Sequence, residues 1–161
     1  MTKSNHHSQA MQVRQALWAL QKEVLDSLKV QFDREVGYSA APNEWFNVLM
    51  TAERYKWLRE LTALMADIDI MTELEAISEE HGETARAEIE RLLFDENPPA
   101  DSFAKLYRNL MMANTDLLPF HAQLKSTLQH LPKTEKSKEH HHAKRKTWHE
   151  EHRTQARKKR N

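Results

Sequence analysis

Residues 55–77 read YKWLRELTALMADIDIMTELEAI. Trp57, Leu58, Leu61, Leu64, Met65, Ile68, Met71, Leu74 and Ile77 recur at steps of three and four, the spacing that gathers side chains into one stripe of an α-helix. Arg59, Glu60, Asp67, Glu73 and Glu75 are left for the wet side or its margins. Ordering a residue costs about 1–2 kcal/mol of backbone entropy, so a single helix with such a stripe needs other helices to cover it. The flanking sequence supplies them.

Upstream, Ser8 is a good N-cap, and the segment to about Glu35 carries Leu17, Trp18, Val24, Leu25, Leu28 and Phe32 at helical spacing on one face. Trp18, Leu25 and Phe32 stand seven apart, the step of a coiled-coil seam, but too few heptads follow to specify a dimer. A core-facing helix is the expectation. Gly37 ends it, and Pro42 with Glu44 opens a short helix bearing Trp45, Phe46, Leu49 and Met50. Thr51 is expected to cap the central helix. Residues 1–7 are polar and expected to fray, with His6 and His7 solvated.

Downstream lies an acidic stretch. Residues 73–101 hold ten acids against Arg86 and Arg91, a net of −8. Gly82 is expected to break it and Thr84 to cap a helix with Ile89, Leu92, Leu93 and Phe94 inward, ended by Asn97-Pro98-Pro99. Asp101 or Ser102 starts the next helix, with Phe103, Leu106, Tyr107, Leu110 and Met111 inward. Asp116 caps a last one through Leu117, Leu118, Phe120, Leu124, Leu128 and Leu131, which Pro132 stops. His121, near that apolar face, reads as a hydrogen-bonded core or rim histidine.

The run Trp45, Phe46, Leu49, Tyr55, Trp57-Leu58-Arg59, Leu61, Leu64, Ile68-Asp69 resembles a pattern of small all-helical bacterial proteins of uncharacterised function, with Glu60 where that pattern has proline. Leu118-Pro119-Phe120-His121-Ala122 resembles their later Leu-x-x-His-Ala segment. The resemblance spans about residues 10–130, excludes the tail, and implies an all-α fold only; it brings no activity with it.

Composition agrees with helices. Two glycines and five prolines in 161 residues are too few for a protein of many tight turns. The absence of cysteine excludes disulfides, thiol nucleophiles and thiolate metal sites. No apolar run marks a signal peptide or a membrane span, so the expectation is a cytoplasmic protein without membrane contact. No nucleophile elbow, phosphate-cradling glycine loop or dinucleotide fingerprint occurs. Neither a catalytic residue nor a cofactor is expected.

Net charge is zero but unevenly distributed. Residues 133–161 hold eleven basic and four acidic residues, a net of +7, which leaves −7 on the other 132. With only Ala143, Trp148 and Ala156 apolar beyond Pro132, this segment has no core-facing stripe and is expected to be flexible or a solvated helix. The expected organisation is a frayed end at 1–7, a bundle of five or six helices at 8–132, and a basic, His-rich tail at 133–161.

The tail points to RNA, DNA or another polyanion. Lys144, Arg145, Lys146, Arg153, Arg157, Lys158, Lys159 and Arg160 would meet phosphates, and Trp148 would stack on an unpaired base. The competing reading is intramolecular: a +7 arm tethered to a −8 stretch lies on it. His149 and His152 share a helical face, but His149-Glu150-Glu151-His152 is one residue short of the zinc-hydrolase spacing, and no metal is expected. The sequence therefore suggests a non-enzymatic binding or regulatory protein. Its alternative is a helical adaptor that meets a protein partner through an acidic or apolar helix face.

Overall fold

The computed structural model describes residues 5–160. Among them it is all-α: eight α-helices, two short 3-10 segments and no strand. None of these helices is long and apolar enough to cross a membrane.

Helix α1 (Asn5–Val36) packs along α3 (Arg59–Thr72), α4 (Glu79–Leu93) and α6 (Leu118–Leu128). Its helical start corrects the expectation of a frayed end for residues 5–7; residues 1–4 lie outside the described residues. The buried stripe runs Val13, Leu17, Leu20, Val24 and Leu28, at the steps of three and four that periodicity demands. Trp18 is displaced from it by one residue, or about 100°, and is 44% exposed. This corrects its assignment to the core. Its indole N–H donates to Asp69 at 3.3 Å, while the Arg14 guanidinium lies 5.4 Å from the ring centre. Gly37, at φ +84°, ends the helix in the left-handed conformation that a side chain would strain.

The central segment keeps its stripe and loses its continuity. Leu58, Leu61, Leu64, Met65, Ile68, Met71, Leu74 and Ile77 are all buried, so only Trp57 of the nine sits partly outside. Glu53–Leu58 is a 3-10 turn, α3 occupies Arg59–Thr72, and Leu74 and Ile77 are buried from the loop beyond it. Thr51 does not cap α3. It closes α2 (Pro42–Thr51), where its hydroxyl donates back to the Asn47 carbonyl at 2.7 Å. Trp45, the buried residue of α2, packs edge-on to Tyr55 and tilted against Phe32.

Two further expected caps move, one by six residues and one by two. Ser78, not Thr84, caps α4: its hydroxyl accepts from the His81 N–H while His81 Nδ1 accepts from the Ser78 N–H, a reciprocal capping box. Gly82 therefore lies inside the helix. Its missing side chain admits Pro132, whose Cδ would stand 3.0 Å from an added Cβ. Ser102 caps α5 (Phe103–Ala113) as expected, whereas Asn114, not Asp116, caps the 3-10 turn that leads into α6.

The largest correction concerns residues 133–161. Residues 138–160 form α7 (Lys138–Lys146) and α8 (Trp148–Arg160), which pack on α4 and α3 respectively. Trp148 is 1% exposed and belongs to the core; His141 and Arg145 are also buried. One large aromatic anchor and complementary charges replace the apolar stripe that the segment lacks.

Candidate functional site

The basic arm lies on carboxylates that α3, α4 and their connection present. Asp67 and Asp69 are two apart on α3, and helical geometry turns them roughly 200° apart. Asp69 turns toward α1 and meets Arg14 at 2.6 Å; Asp67 turns toward the arm. There Arg145 Nε donates to Asp67 Oδ2 at 2.6 Å and Arg145 Nη1 to Glu88 Oε1 at 3.1 Å. Glu88 is a carboxylate with 1% side-chain exposure, a position tolerated only with full hydrogen bonding. Arg91 and His142 complete its partners at 2.9 Å each. Burial opposes the charge of Glu88, but His142, Arg91 and Arg145 outweigh it and hold the carboxyl below its usual 4.5.

Histidines make much of the remaining contact. His149 Nε2 lies 2.7 Å from Asp67 Oδ1, His152 Nε2 lies 3.1 Å from Glu73, and His140 Nε2 lies 3.4 Å from Glu80. His149 and His152 thus go to different carboxylates rather than to one shared point. Among the described residues no three metal-ligating side chains converge. His81 Nδ1 accepts from the Ser78 N–H, its Nε2 lies 3.0 Å from Glu151 Oε2, and its ring flanks Trp148. His141 shares a 2.8 Å hydrogen bond with the Thr84 hydroxyl. Its Nε2 is buried without a partner among the described residues, and burial, then the neighbouring His140, lowers its pKa below 6.5.

These contacts divide α8 into two faces. Trp148, His152, Gln155 and Lys159, at steps of four, three and four, form the docked face; Gln155 accepts from the Glu75 N–H at 2.9 Å and Lys159 meets the Glu75 carboxylate at 3.2 Å. Arg153, Arg157, Lys158 and Arg160 form the outer face, all exposed. Arg153 pairs with Glu150 at 2.9 Å, whereas Arg157, Lys158 and Arg160 have no acidic partner among the described residues. Lys146 at the end of α7 is likewise exposed and unpaired, and Lys144 stands 3.7 Å from Glu80.

The nine residues read from sequence as a phosphate and base surface therefore separate. Lys144, Lys146, Arg153, Arg157, Lys158, Lys159 and Arg160 are exposed. Arg145 and Trp148 are not, which corrects their assignment: one is consumed by Asp67 and Glu88, the other is sealed in the core and offers no face for a base. The competing intramolecular reading placed the arm on the acidic stretch that contains Glu88, as found, but sequence reasoning missed Asp67 as an acceptor. The available signal was the charge balance, since a +7 segment and a −8 segment in one chain attract.

His121 is half-buried and hydrogen-bonded to the Tyr107 hydroxyl at 2.8 Å, as a rim histidine should be. It lies on α6, outside the arm. No protein-family model, no curated protein and no solved structure matches this chain at a significant level.

Proposed function

We propose that this is a non-enzymatic binding protein that holds RNA, DNA or another polyanion on the outer face of α8. The observation that carries the reading is the unpaired set Arg157, Lys158 and Arg160, exposed on a helix whose opposite face is already engaged by acidic side chains. Arg153, Arg157 and Arg160 follow each other at steps of four and three, about 4.5–6 Å along the axis. Guanidinium groups in such a row suit successive phosphates. With Trp148 buried, the contact is to the backbone alone and is sequence-independent.

The test is fluorescence anisotropy with a short duplex DNA and a single-stranded RNA across a sodium chloride series. Five outer cations, Lys146, Arg153, Arg157, Lys158 and Arg160, give a log–log slope of roughly −3 to −5. The triple variant Arg157→Glu, Lys158→Glu, Arg160→Glu weakens binding at least tenfold and flattens the slope. Equal affinity of wild type and variant sinks the proposal, as does an absence of binding at low salt.

A second reading, the helical adaptor, is favoured by one observation. Phe46 and Met50 on α2 are 59% and 58% exposed beside a groove of about 460 Å³ walled by Leu25, Leu49, Ala63 and Ala66. Phe46→Glu with Met50→Glu leaves polyanion binding unchanged under the first reading, which makes the two faces separable.

A further inference from the structure

The C-terminal half of α4 with α5 and α6 lines an open cleft of about 830 Å³, within the range of small-molecule sites. Its wall is apolar, built of Leu93, Phe94, Met111, Met112, Leu118 and Leu128. Met112 is 81% exposed and Leu118 48%, so water wets much of this wall. Two apolar residues at that exposure lining one concave site favour a ligand with a hydrocarbon body.

The rim carries positive charge. Arg86 and Glu90 neutralise each other at 2.6 Å. That leaves Arg108, Lys125 and Lys133 against Glu96. Lys125 and Lys133 have no acidic partner among the described residues, and Arg108 donates to the backbone carbonyls of Asp95 and Glu96, which do not cancel its charge. Between wall and rim stands His121, its ring centre 4.7 Å from that of Phe94. Burial, then Lys125 and Arg108, lowers its pKa below 6.5, so it is neutral at pH 7. Burial pushes the Tyr107 hydroxyl well above 10, so it stays protonated, and it shares a 2.8 Å hydrogen bond with His121 Nδ1. With Nδ1 accepting from the hydroxyl, the neutral ring carries its own proton on Nε2, a donor with no acceptor among the described residues.

We propose that this cleft binds an amphipathic carboxylate, such as a medium-chain fatty acid. The hydrocarbon lies on Met111, Met112 and Leu118, and the carboxylate takes the His121 Nε2–H and the field of Lys125 and Lys133. Charge complementarity selects this occupant: a polyanion without an apolar body leaves the wall wet, and an uncharged alkane leaves the lysines unused. The site is separate from the outer face of α8 and stands whether or not that face binds a polyanion.

The experiment titrates the full chain, labelled at its methionine methyls, with decanoate, decanol and inorganic phosphate by NMR, with calorimetry for affinity. Decanoate is expected to shift the Met111 and Met112 methyls and to bind at least tenfold more tightly than decanol, with phosphate weaker still. Lys125→Met with Lys133→Met brings decanoate and decanol to within a factor of two or three. Met112→Glu, at a position too exposed to unfold the protein, lowers decanoate affinity at least tenfold. The proposal is overturned if decanoate leaves those methyls unmoved, if decanol or phosphate equals it, or if either variant binds decanoate as wild type does.

Discussion

Helices α1, α3 and α4 meet through Leu17, Leu20, Leu61, Leu64, Ile68 and Ile89, all buried, so that each supplies a stripe and needs no particular partner atom. Helices α7 and α8 meet the same α3 and α4 through Trp148 and a set of directed contacts: Arg145 to Asp67 and Glu88, His142 to Glu88, His149 to Asp67. The first kind of contact is tolerant and scales with area; the second is specific and fails when one partner is lost. In its physics the arm resembles a docked ligand, with one aromatic anchor inside a polar surround.

Trp148→Ala is the largest test of that contrast. It should cost about 3–5 kcal/mol by loss of the aromatic volume and the cavity left behind. Hydrogen exchange should show amides of α7 and α8 losing protection while α1 and α3 keep theirs. Uniform loss across all eight helices would mean that the two regions form a single cooperative unit.

Next comes Arg145→Met. Glu88 then keeps Arg91 and His142 but loses its Arg145 contact, and Asp67 loses its guanidinium, at a cost of about 2–4 kcal/mol in denaturant unfolding. Adding Glu88→Gln should recover part of the loss, because a neutral amide is easier to bury than an incompletely paired charge. A double variant less stable than Arg145→Met alone would contradict this account.

A smaller effect depends on pH. The folded-state pKa of His141 is depressed, so between 6.5 and that lower value the unfolded chain binds a proton that the folded chain does not, and stability falls as pH falls. His140, Lys136, Glu83 and Glu88 contribute to the field at this ring, so the clean readout is differential. Wild type should lose stability relative to His141→Gln on going from pH 7.5 to 5.5. A gap that stays constant, or moves the other way, would remove His141 from the balance. Glu88 adds a second limb: its depressed pKa gives stability that is present above 4.5 and lost as pH falls below it.

The smallest effect is at the surface. Lys159 and Glu75 pair at 3.2 Å with side chains 71% and 53% exposed, so Lys159→Ala should change stability by no more than about 0.5 kcal/mol and fray only the end of α8. A larger loss would show that the outer turn of α8 is a structural element of the arm and not merely its exposed end.

Much of the bundle was legible because the periodic stripe from Leu58 to Ile77 is a local property of the chain. Cap positions were less so. Thr84 is the cap read from sequence, and the reciprocal bond with His81 gives the role to Ser78 instead. Trp18 and Leu17 are adjacent and equally apolar, and the position of the α3 and α6 surfaces decided that Leu17 goes inward. Of the candidate site, the outer cations of α8 could be read directly, but the burial of Arg145 and Trp148 could not. A segment with three apolar residues has no periodic signal with which to announce that it packs.

By itself the sequence determined the all-α class, the approximate places of the helices, and the separation of positive from negative charge, because propensity, periodicity and composition act within a few turns of the chain. Tertiary structure alone decided that the arm docks, which of its cations are consumed, and that α4, α5 and α6 leave a cationic, apolar cleft open. The reason is distance along the chain. Arg145 and Asp67 are 78 residues apart and Thr84 and His141 are 57, so their meeting depends on how whole helices are placed, and no local pattern encodes that.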